Sequence, residues 1–199
     1  MSRIARMVIP GCPHHVIQRG NRRQKVFFSD QDKRAYITIL RKMTVRYGIQ
    51  IWAYCLMDNH VHLVVVPETE ESLARGIGET HKKYTNMINL REGWKGYLWQ
   101  GRFLSYPLDE KYLYSVVRYV ERNPLRAGLV QKPEDYKWSS AVAHIFRIQD
   151  PLLSESFLYS HIEDWAAYLS EYEDPMLIDM FKKHASTGRY LGFKIPVDE

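Results

Sequence analysis

The 199-residue sequence has only two cysteines, no long apolar run and no low-complexity tract. Cys12 and Cys55 are far apart and outside any CxxC pattern, which argues against a disulfide framework and a cysteine-based zinc site. No apolar run approaches the roughly 20 residues that a membrane-spanning helix needs, and the N-terminus lacks the apolar core of a signal peptide. We therefore expect a soluble protein of the reducing cytoplasm.

Charge is distributed unevenly along the chain. Residues 1–150 contain 24 Lys and Arg against 14 Asp and Glu, whereas residues 151–199 contain 4 against 9. A basic body suggests a polyanionic partner, because each phosphate that is neutralised releases condensed counterions. A basic surface that is simply solvated fits the charge equally well. The acidic C-terminal part could fold back over the basic surface, or it could only keep the protein soluble.

The predicted elements follow the order β-α-β-β-α-β, with one more helix after them. Strands are predicted at 14–19, 49–57, 60–66 and 103–108, and helices at 30–47, 71–90 and 109–123. This order predicts an α+β fold, a ferredoxin-like split β-α-β antiparallel sheet with helices on one face. We expect one main domain over residues 1–145. Beyond Trp138 we expect two or three helices, and a C-terminal helical extension over residues 146–199 is expected to pack on or near this domain.

Two histidines, His60 and His62, form the sharpest local feature. Residues two apart in a strand face the same way, so their imidazoles stand side by side while Val61 faces the opposite layer. Such a pair can chelate a metal ion, although two exposed histidines on a sheet face give the same pattern. No further histidine or acid follows closely, so any third ligand must come from elsewhere in the fold.

The third predicted helix carries Tyr119 and Asn123 four residues apart, on one face at the margin of a valine stripe. Arg118 and Arg122 form a neighbouring basic edge. A tyrosine at the margin of an amphipathic helix is usually a packing residue, and the chain has 14 tyrosines. The spacing alone therefore does not assign a catalytic role to Tyr119.

Several motifs in a fixed order resemble one family. They are HHVIQRGNRR at 14–23, LMDNHVHL at 56–63, LWQGRF at 98–103, RYVERNPLRAGLV at 118–130 and WSS at 138–140. Over roughly residues 8–145 the sequence resembles the HUH single-tyrosine transposases. Among them it is most similar to the REP-associated tyrosine transposases of bacterial chromosomes, where REP stands for repetitive extragenic palindrome. Several motifs in order are far more specific than any one of them.

The resemblance implies that residues 1–145 form the catalytic domain of a tyrosine transposase. It implies that His60 and His62 hold a divalent metal, Mg²⁺ or Mn²⁺, that Asn123 completes the metal site, and that Tyr119 is the nucleophile. The implied reaction is cleavage of single-stranded DNA near a hairpin through a 5′-phosphotyrosine intermediate. The resemblance also implies a bacterial, cytoplasmic protein that is used at the nucleoid and acts as a monomer or a homodimer. Asp58 departs from the family, which commonly has proline there, and adds a negative charge near the histidines.

The residues expected to contact DNA are basic, amide or aromatic. They are Arg19, Asn21, Arg22, Arg23, Lys82, Lys83, Trp99, Arg102, Arg118 and Arg122. Arginines can hold phosphates or guanine edges, and an exposed tryptophan can stack on an unpaired base. Two alternatives stay open, a hairpin-binding module that does not cut and a metal-dependent hydrolase with water as nucleophile. The water mechanism predicts full activity in Tyr119→Phe.

Overall fold

A single four-stranded antiparallel sheet organises the fold in the computed structural model, which describes residues 7–187. The strands are β1 (His14–Arg19), β2 (Ile49–Met57), β3 (His60–Pro67) and β4 (Leu104–Pro107), in the spatial order β2-β3-β1-β4. The helices are α1 (Asp30–Arg46), α2 (Ser72–Glu92), α3 (Glu110–Glu121), α4 (Asn123–Arg126), α5 (Ala141–Phe146), α6 (Leu158–His161), α7 (Trp165–Ser170) and α8 (Pro175–Thr187). The predicted ferredoxin-like α+β fold is confirmed, with every predicted strand boundary within two residues.

Helix α1 begins where the sequence predicts. The Ser29 hydroxyl accepts a hydrogen bond from the backbone N–H of Asp32, and the Asp32 carboxylate accepts one from the backbone N–H of Ser29. This reciprocal capping box satisfies two of the N–H groups that a helix start leaves unpaired. The helix ends just before Gly48, whose φ of 58° is the left-handed conformation that glycine adopts most easily.

Apolar layers cover both faces of the sheet. On one face, the inward side chains of Val61 and Leu63 pack with α1 and α2. On the other face, Val64 packs with α3 and with the C-terminal helices, including Trp165 and Phe181. The two crossover helices thus share one face, as predicted, whereas the tyrosine helix α3 lies on the opposite face together with the side chains of His60 and His62.

Helix α3 ends at Glu121, and the four-residue helix α4 follows from Asn123 with Pro124 in its first turn. A proline is tolerated at this position because its missing N–H would have had no helical partner. The predicted end or kink at Asn123-Pro124 is therefore confirmed. The interruption also fixes where Asn123 lies relative to the sheet.

Beyond Trp138 the described residues form four helices, α5 to α8, rather than the two or three predicted, and three of them lie in the extension that begins at residue 146. Side chains from α6, α7 and α8 belong to the same apolar layer as α3. Residues 188–199 of the predicted extension and residues 1–6 of the predicted domain lie outside the described residues. The boundary at residue 145 stays a prediction. In the described part, no helix is long and apolar enough to cross a membrane.

Candidate active site

Strand β3 presents His60 and His62 side by side, with ring centroids 4.9 Å apart and ring planes at 85°. The Nδ1 atom of His60 lies 2.6 Å from Oδ1 of Asn59, and Nδ1 of His62 lies 2.9 Å from Nε2 of His15. Each imidazole is therefore held at Nδ1, which leaves Nε2 as the nitrogen with which a metal can be bound.

Burial governs the protonation of both histidines. It lowers the pKa of His60 to about 4, with a further contribution from the positive charge of Arg19. It lowers the pKa of His62 well below the ordinary value, with His60, His15 and Arg19 acting in the same direction. Both rings are therefore neutral at neutral pH, which is the form that binds metal ions.

The side chain of Asn123 is hydrogen-bonded to His60, an interaction that opposes the lowering of the histidine pKa. Asn123 is 9% exposed at the start of α4, so the helix interruption aims it at the histidine pair. Among the described residues, no group of three or more His, Cys, Asp or Glu side chains could hold a metal. A site here would therefore consist of two imidazoles and the Asn123 amide, a donor set that suits Mn²⁺ by ligand type.

Helix α3 brings Tyr119 against the histidine pair. Its ring centroid lies 5.7 Å from that of His62 and 6.2 Å from that of His15. Burial raises the pKa of the Tyr119 phenol, and the positive charges of Arg126 and Arg19 oppose this shift. The Arg126 guanidinium lies 4.4 Å from the Tyr119 ring centroid. The fold thus joins the two motifs that the sequence keeps far apart.

The acidic C-terminal part folds back over the basic edge of the tyrosine helix, one of the two possibilities that the charge distribution left open. Glu173 contacts Arg126 at 2.8 Å and Arg122 at 3.3 Å, and Glu171 pairs with Arg118. Another contact from this part is the ring of Phe181, whose centroid lies 5.3 Å from that of Tyr119. Tyr119 is only 5% exposed, so the surrounding side chains cover most of its surface.

Comparison with known proteins shows the family to which the chain belongs. Residues 9–123 match the family described as Transposase IS200 like. The chain belongs to this family. The match ends at Asn123, so it contains both histidines and the tyrosine.

The chain is 26% identical, over 105 residues, to a presumptive REP-associated tyrosine transposase of Haemophilus influenzae. That alignment covers 47% of this chain and 60% of the relative's length. A solved REP-associated tyrosine transposase bound to a REP hairpin shares its fold, with a TM-score of 0.58 and 21% identity over 78% of this chain and 93% of the other. A presumptive transposase from Deinococcus radiodurans has a TM-score of 0.41 and 20% identity over 61% of this chain and 97% of the other.

The turn after β1 holds clustered arginines in an unusual backbone conformation. Arg22 and Arg23 have φ values of 51° and 61°, in the left-handed region that favours glycine. Gly20 precedes them where a Cβ would lie 2.2 Å from the backbone oxygen of Gln24, so a side chain does not fit there. Left-handed backbone in non-glycine residues is concentrated at functional sites, because the surrounding structure must hold it.

Three arginines line one cleft, namely Arg19, Arg23 and Arg102. Asn21 and Arg22 lie on the same turn as Arg23. An adjoining cleft shares Arg102 and is also lined by Lys82 of α2, while Lys83 is exposed at the next position of that helix. Trp99 also lines this adjoining cleft, so eight of the predicted DNA contacts lie on or beside one basic surface.

Trp99 presents little of its ring to the cleft, and Arg118 and Arg122 lie elsewhere. Trp99 is 5% exposed, and its ring packs against Tyr36, Tyr84 and His81, so little of its face could stack on a base. The sequence could not show this, because the aromatic partners come from α1 and α2. The charges of Arg118 and Arg122 are already paired with Glu171 and Glu173. The structure gives these two arginines a role in holding the C-terminal part.

Asp58, which departs from the family pattern, occupies the turn between β2 and β3. Its carboxylate pairs with Lys33 at 2.8 Å and with Lys25 at 3.2 Å. The extra negative charge expected near the histidines is therefore offset by two lysines. Because Lys33 is itself mostly buried, the pair also ties the turn to helix α1.

Proposed function

We propose that this transposase cleaves and rejoins single-stranded DNA beside a hairpin, with Tyr119 as the nucleophile. The observation that carries the proposal is the packing of the Tyr119 ring against His62, whose ring in turn contacts the half-buried His60. A phenol beside two neutral imidazoles combines a nucleophile with metal ligands. The match to the transposase family spans these residues, which supports the same assignment of nucleophile and metal ligands.

The chemistry is a transesterification. The Tyr119 oxygen attacks a backbone phosphorus, a phosphotyrosine bond forms, and the bond from phosphorus to the 3′ oxygen breaks. The departing oxygen gains a proton and becomes a 3′-hydroxyl, while the DNA 3′ to the cut stays attached through its 5′ phosphate. A 3′-hydroxyl can later attack that bond and release the phenol, so the ends are rejoined without ATP. Covalent catalysis of this kind divides one difficult step into two easier ones.

Activation of the phenol is the demanding part of this reaction. A free tyrosine has a pKa near 10, and burial raises the pKa of Tyr119 further, so the hydroxyl is protonated at neutral pH. Arg126 and Arg19 are the positive charges that favour the phenolate. They would stabilise the charge that develops on the oxygen as the proton leaves.

His60, His62 and Asn123 would hold the divalent metal, Mg²⁺ or Mn²⁺. A cation bound there supplies charge neutralisation at the scissile phosphate and orientation of the leaving oxygen. Ligand type favours Mn²⁺ because Mg²⁺ prefers oxygen ligands, whereas abundance in cells favours Mg²⁺. Direct measurement of Mn²⁺ binding to the free protein tests this part of the proposal.

The proposed substrate is a DNA hairpin with a single-stranded flank, as in a repetitive extragenic palindrome. A solved protein of the same fold is bound to a REP hairpin, and the relative from Haemophilus influenzae carries the REP-associated name. The cleft lined by Arg19, Arg23 and Arg102 offers donors for the phosphates and bases of such a flank. Whether the chain acts as a monomer or a homodimer, and its use at the nucleoid, stay predictions.

The test uses hairpin oligonucleotides with single-stranded flanks, labelled at either end and incubated with the protein in Mg²⁺ or Mn²⁺. Denaturing gels should show a covalent adduct that carries only the DNA 3′ to the cut, and EDTA should prevent it. Cleavage without an adduct would instead favour a hydrolase that uses water. Binding without cleavage in either metal would favour a hairpin-binding module.

Replacing Arg102 by alanine is expected to weaken hairpin binding, because this side chain lines both basic clefts. If it contacts one phosphate, the slope of log affinity against log salt should fall by about 0.7 to 0.9. Fluorescence anisotropy at several salt concentrations measures this. The control is Arg34→Ala, an exposed arginine of α1 outside both clefts, and an equal loss in both variants would contradict the assignment.

A further inference from the structure

We infer that His15 and Tyr106 are positioning residues, which fix the ring orientation and the tautomer of the metal ligand His62. The inference rests on the proposed function, in which His62 binds a metal. The Tyr106 hydroxyl lies 2.5 Å from Nδ1 of His15, and Nε2 of His15 lies 2.9 Å from Nδ1 of His62. His15 and Tyr106 are fully buried and His62 is 1% exposed, so water does not compete for these contacts.

The three side chains meet because of the register of three neighbouring strands. His15 lies opposite Tyr106 in the β1–β4 pair, and Ile17, two residues along β1, lies opposite His62 in the β1–β3 pair. Residues two apart in a strand face the same side of the sheet, so the alternation directs all three side chains toward α3. The His15 and His62 rings stack at 5.1 Å with an interplanar angle of 24°.

Only one assignment of protons to the ring nitrogens of His62 and His15 leaves Nε2 of His62 free to bind a metal. Binding through Nε2 requires that nitrogen to be unprotonated, so the neutral ring carries its proton on Nδ1. That N–H must donate to Nε2 of His15, which is therefore an acceptor. The His15 proton then lies on Nδ1 and donates to the Tyr106 oxygen. Both partners are thus required to set the tautomer of one ligand.

The neighbouring ligand is held in a matching way. Nδ1 of His60 lies 2.6 Å from the side-chain oxygen Oδ1 of Asn59. Because this oxygen only accepts, the contact selects the same Nδ1-protonated tautomer in the His60 ring. Ligating histidines usually donate their second N–H to an acceptor, and loss of that partner typically weakens metal binding about 10- to 100-fold. An acceptor that is itself a histidine, held by a tyrosine from a third strand, makes β1 and β4 part of the site.

The decisive experiment compares His15→Phe with His14→Phe. Both residues are fully buried neighbours in β1, but His14 bonds to Cys12 and Ile9 and takes no part in the site. Long-range ¹⁵N–¹H spectra of metal-free protein report which ring nitrogen of His62 carries the proton, and His62→Asn identifies the signals. Mn²⁺ affinity is measured on the same proteins without DNA. Two further variants are His15→Gln, whose amide oxygen can still accept from His62, and Tyr106→Phe.

The wild type and His14→Phe should show the Nδ1-protonated form of His62. In His15→Phe that form should be lost, and Mn²⁺ affinity should fall about 10- to 100-fold. His15→Gln should restore part of the Nδ1-protonated form and part of the Mn²⁺ affinity. Tyr106→Phe should show a loss of each that is intermediate between the wild type and His15→Phe. An unchanged His62 tautomer in His15→Phe, with Mn²⁺ affinity equal to that of His14→Phe, would overturn the inference. If His15 controls the tautomer but the wild type binds no Mn²⁺, the positioning role holds and the proposed metal site is wrong.

Discussion

Tyr119→Phe is expected to abolish the covalent adduct and to lower DNA cleavage by at least about 10³-fold, because it removes the proposed nucleophilic oxygen. The phenylalanine ring keeps the contacts that tyrosine makes with His62, Phe181 and Arg126. The fold and the histidine pair should therefore be retained, and hairpin binding should be unchanged. Adduct formation on denaturing gels and anisotropy with the same labelled hairpin give the two readouts.

A matched control for this prediction is Tyr112→Phe, which removes a hydroxyl from the same helix at a half-buried position away from the histidines. This variant should cleave like the wild type. Full cleavage by Tyr119→Phe would contradict the tyrosine mechanism and would support water as the nucleophile. Loss of both binding and cleavage would show that the substitution had disturbed the fold, which circular dichroism would confirm.

Local patterns predicted most of the fold because the elements of the main domain follow simple rules. The alternation in β3 and the start of α1 at residue 30 were predicted from the sequence, and both are present in the structure. The placement of α3 was not visible, because an apolar stripe shows that a helix packs but not on which face of a sheet. The extra C-terminal helices were also missed, since α6 and α7 have only four and six residues and carry little periodic signal.

The candidate site also contains some residues that the sequence predicted and others that it did not. The pair at His60 and His62 follows from strand periodicity, and the tyrosine came from the family resemblance. His15 and Tyr106 were missed because they join His62 only through strand register, which sequence periodicity does not give. The one signal for His15 was its place in the first family motif. The burial of Trp99 was not visible in the sequence for the same reason, since its partners in the core come from other elements.

Glu121→Ala is expected to destabilise the protein by about 3–5 kcal/mol, the largest stability effect among the substitutions considered. Glu121 is fully buried, and its carboxyl group accepts hydrogen bonds from Ser140 at 2.5 Å and from Trp165 at 2.7 Å. It also lies 2.5 Å from Nδ1 of His144. Truncation would leave three buried polar groups without their partner. Urea unfolding followed by circular dichroism measures the change.

The control is Glu110→Ala, an exposed glutamate in the first turn of the same helix, which should change stability by no more than about 0.5 kcal/mol. A similarly small effect of Glu121→Ala would contradict the prediction.

The consequence of losing Glu121 should extend to catalysis, because this side chain connects the tyrosine helix to the sheet. Ser140, which donates to Glu121, also accepts from the backbone N–H of Tyr54 in β2 and donates its own backbone N–H to the Tyr54 oxygen. Through Ser140, helix α3 is fixed to one edge of the sheet whose centre carries His62. A variant that stays folded at low temperature should therefore form the Tyr119 adduct more slowly while binding hairpin DNA normally. Normal adduct formation in that folded variant would show that packing against the histidines alone positions Tyr119.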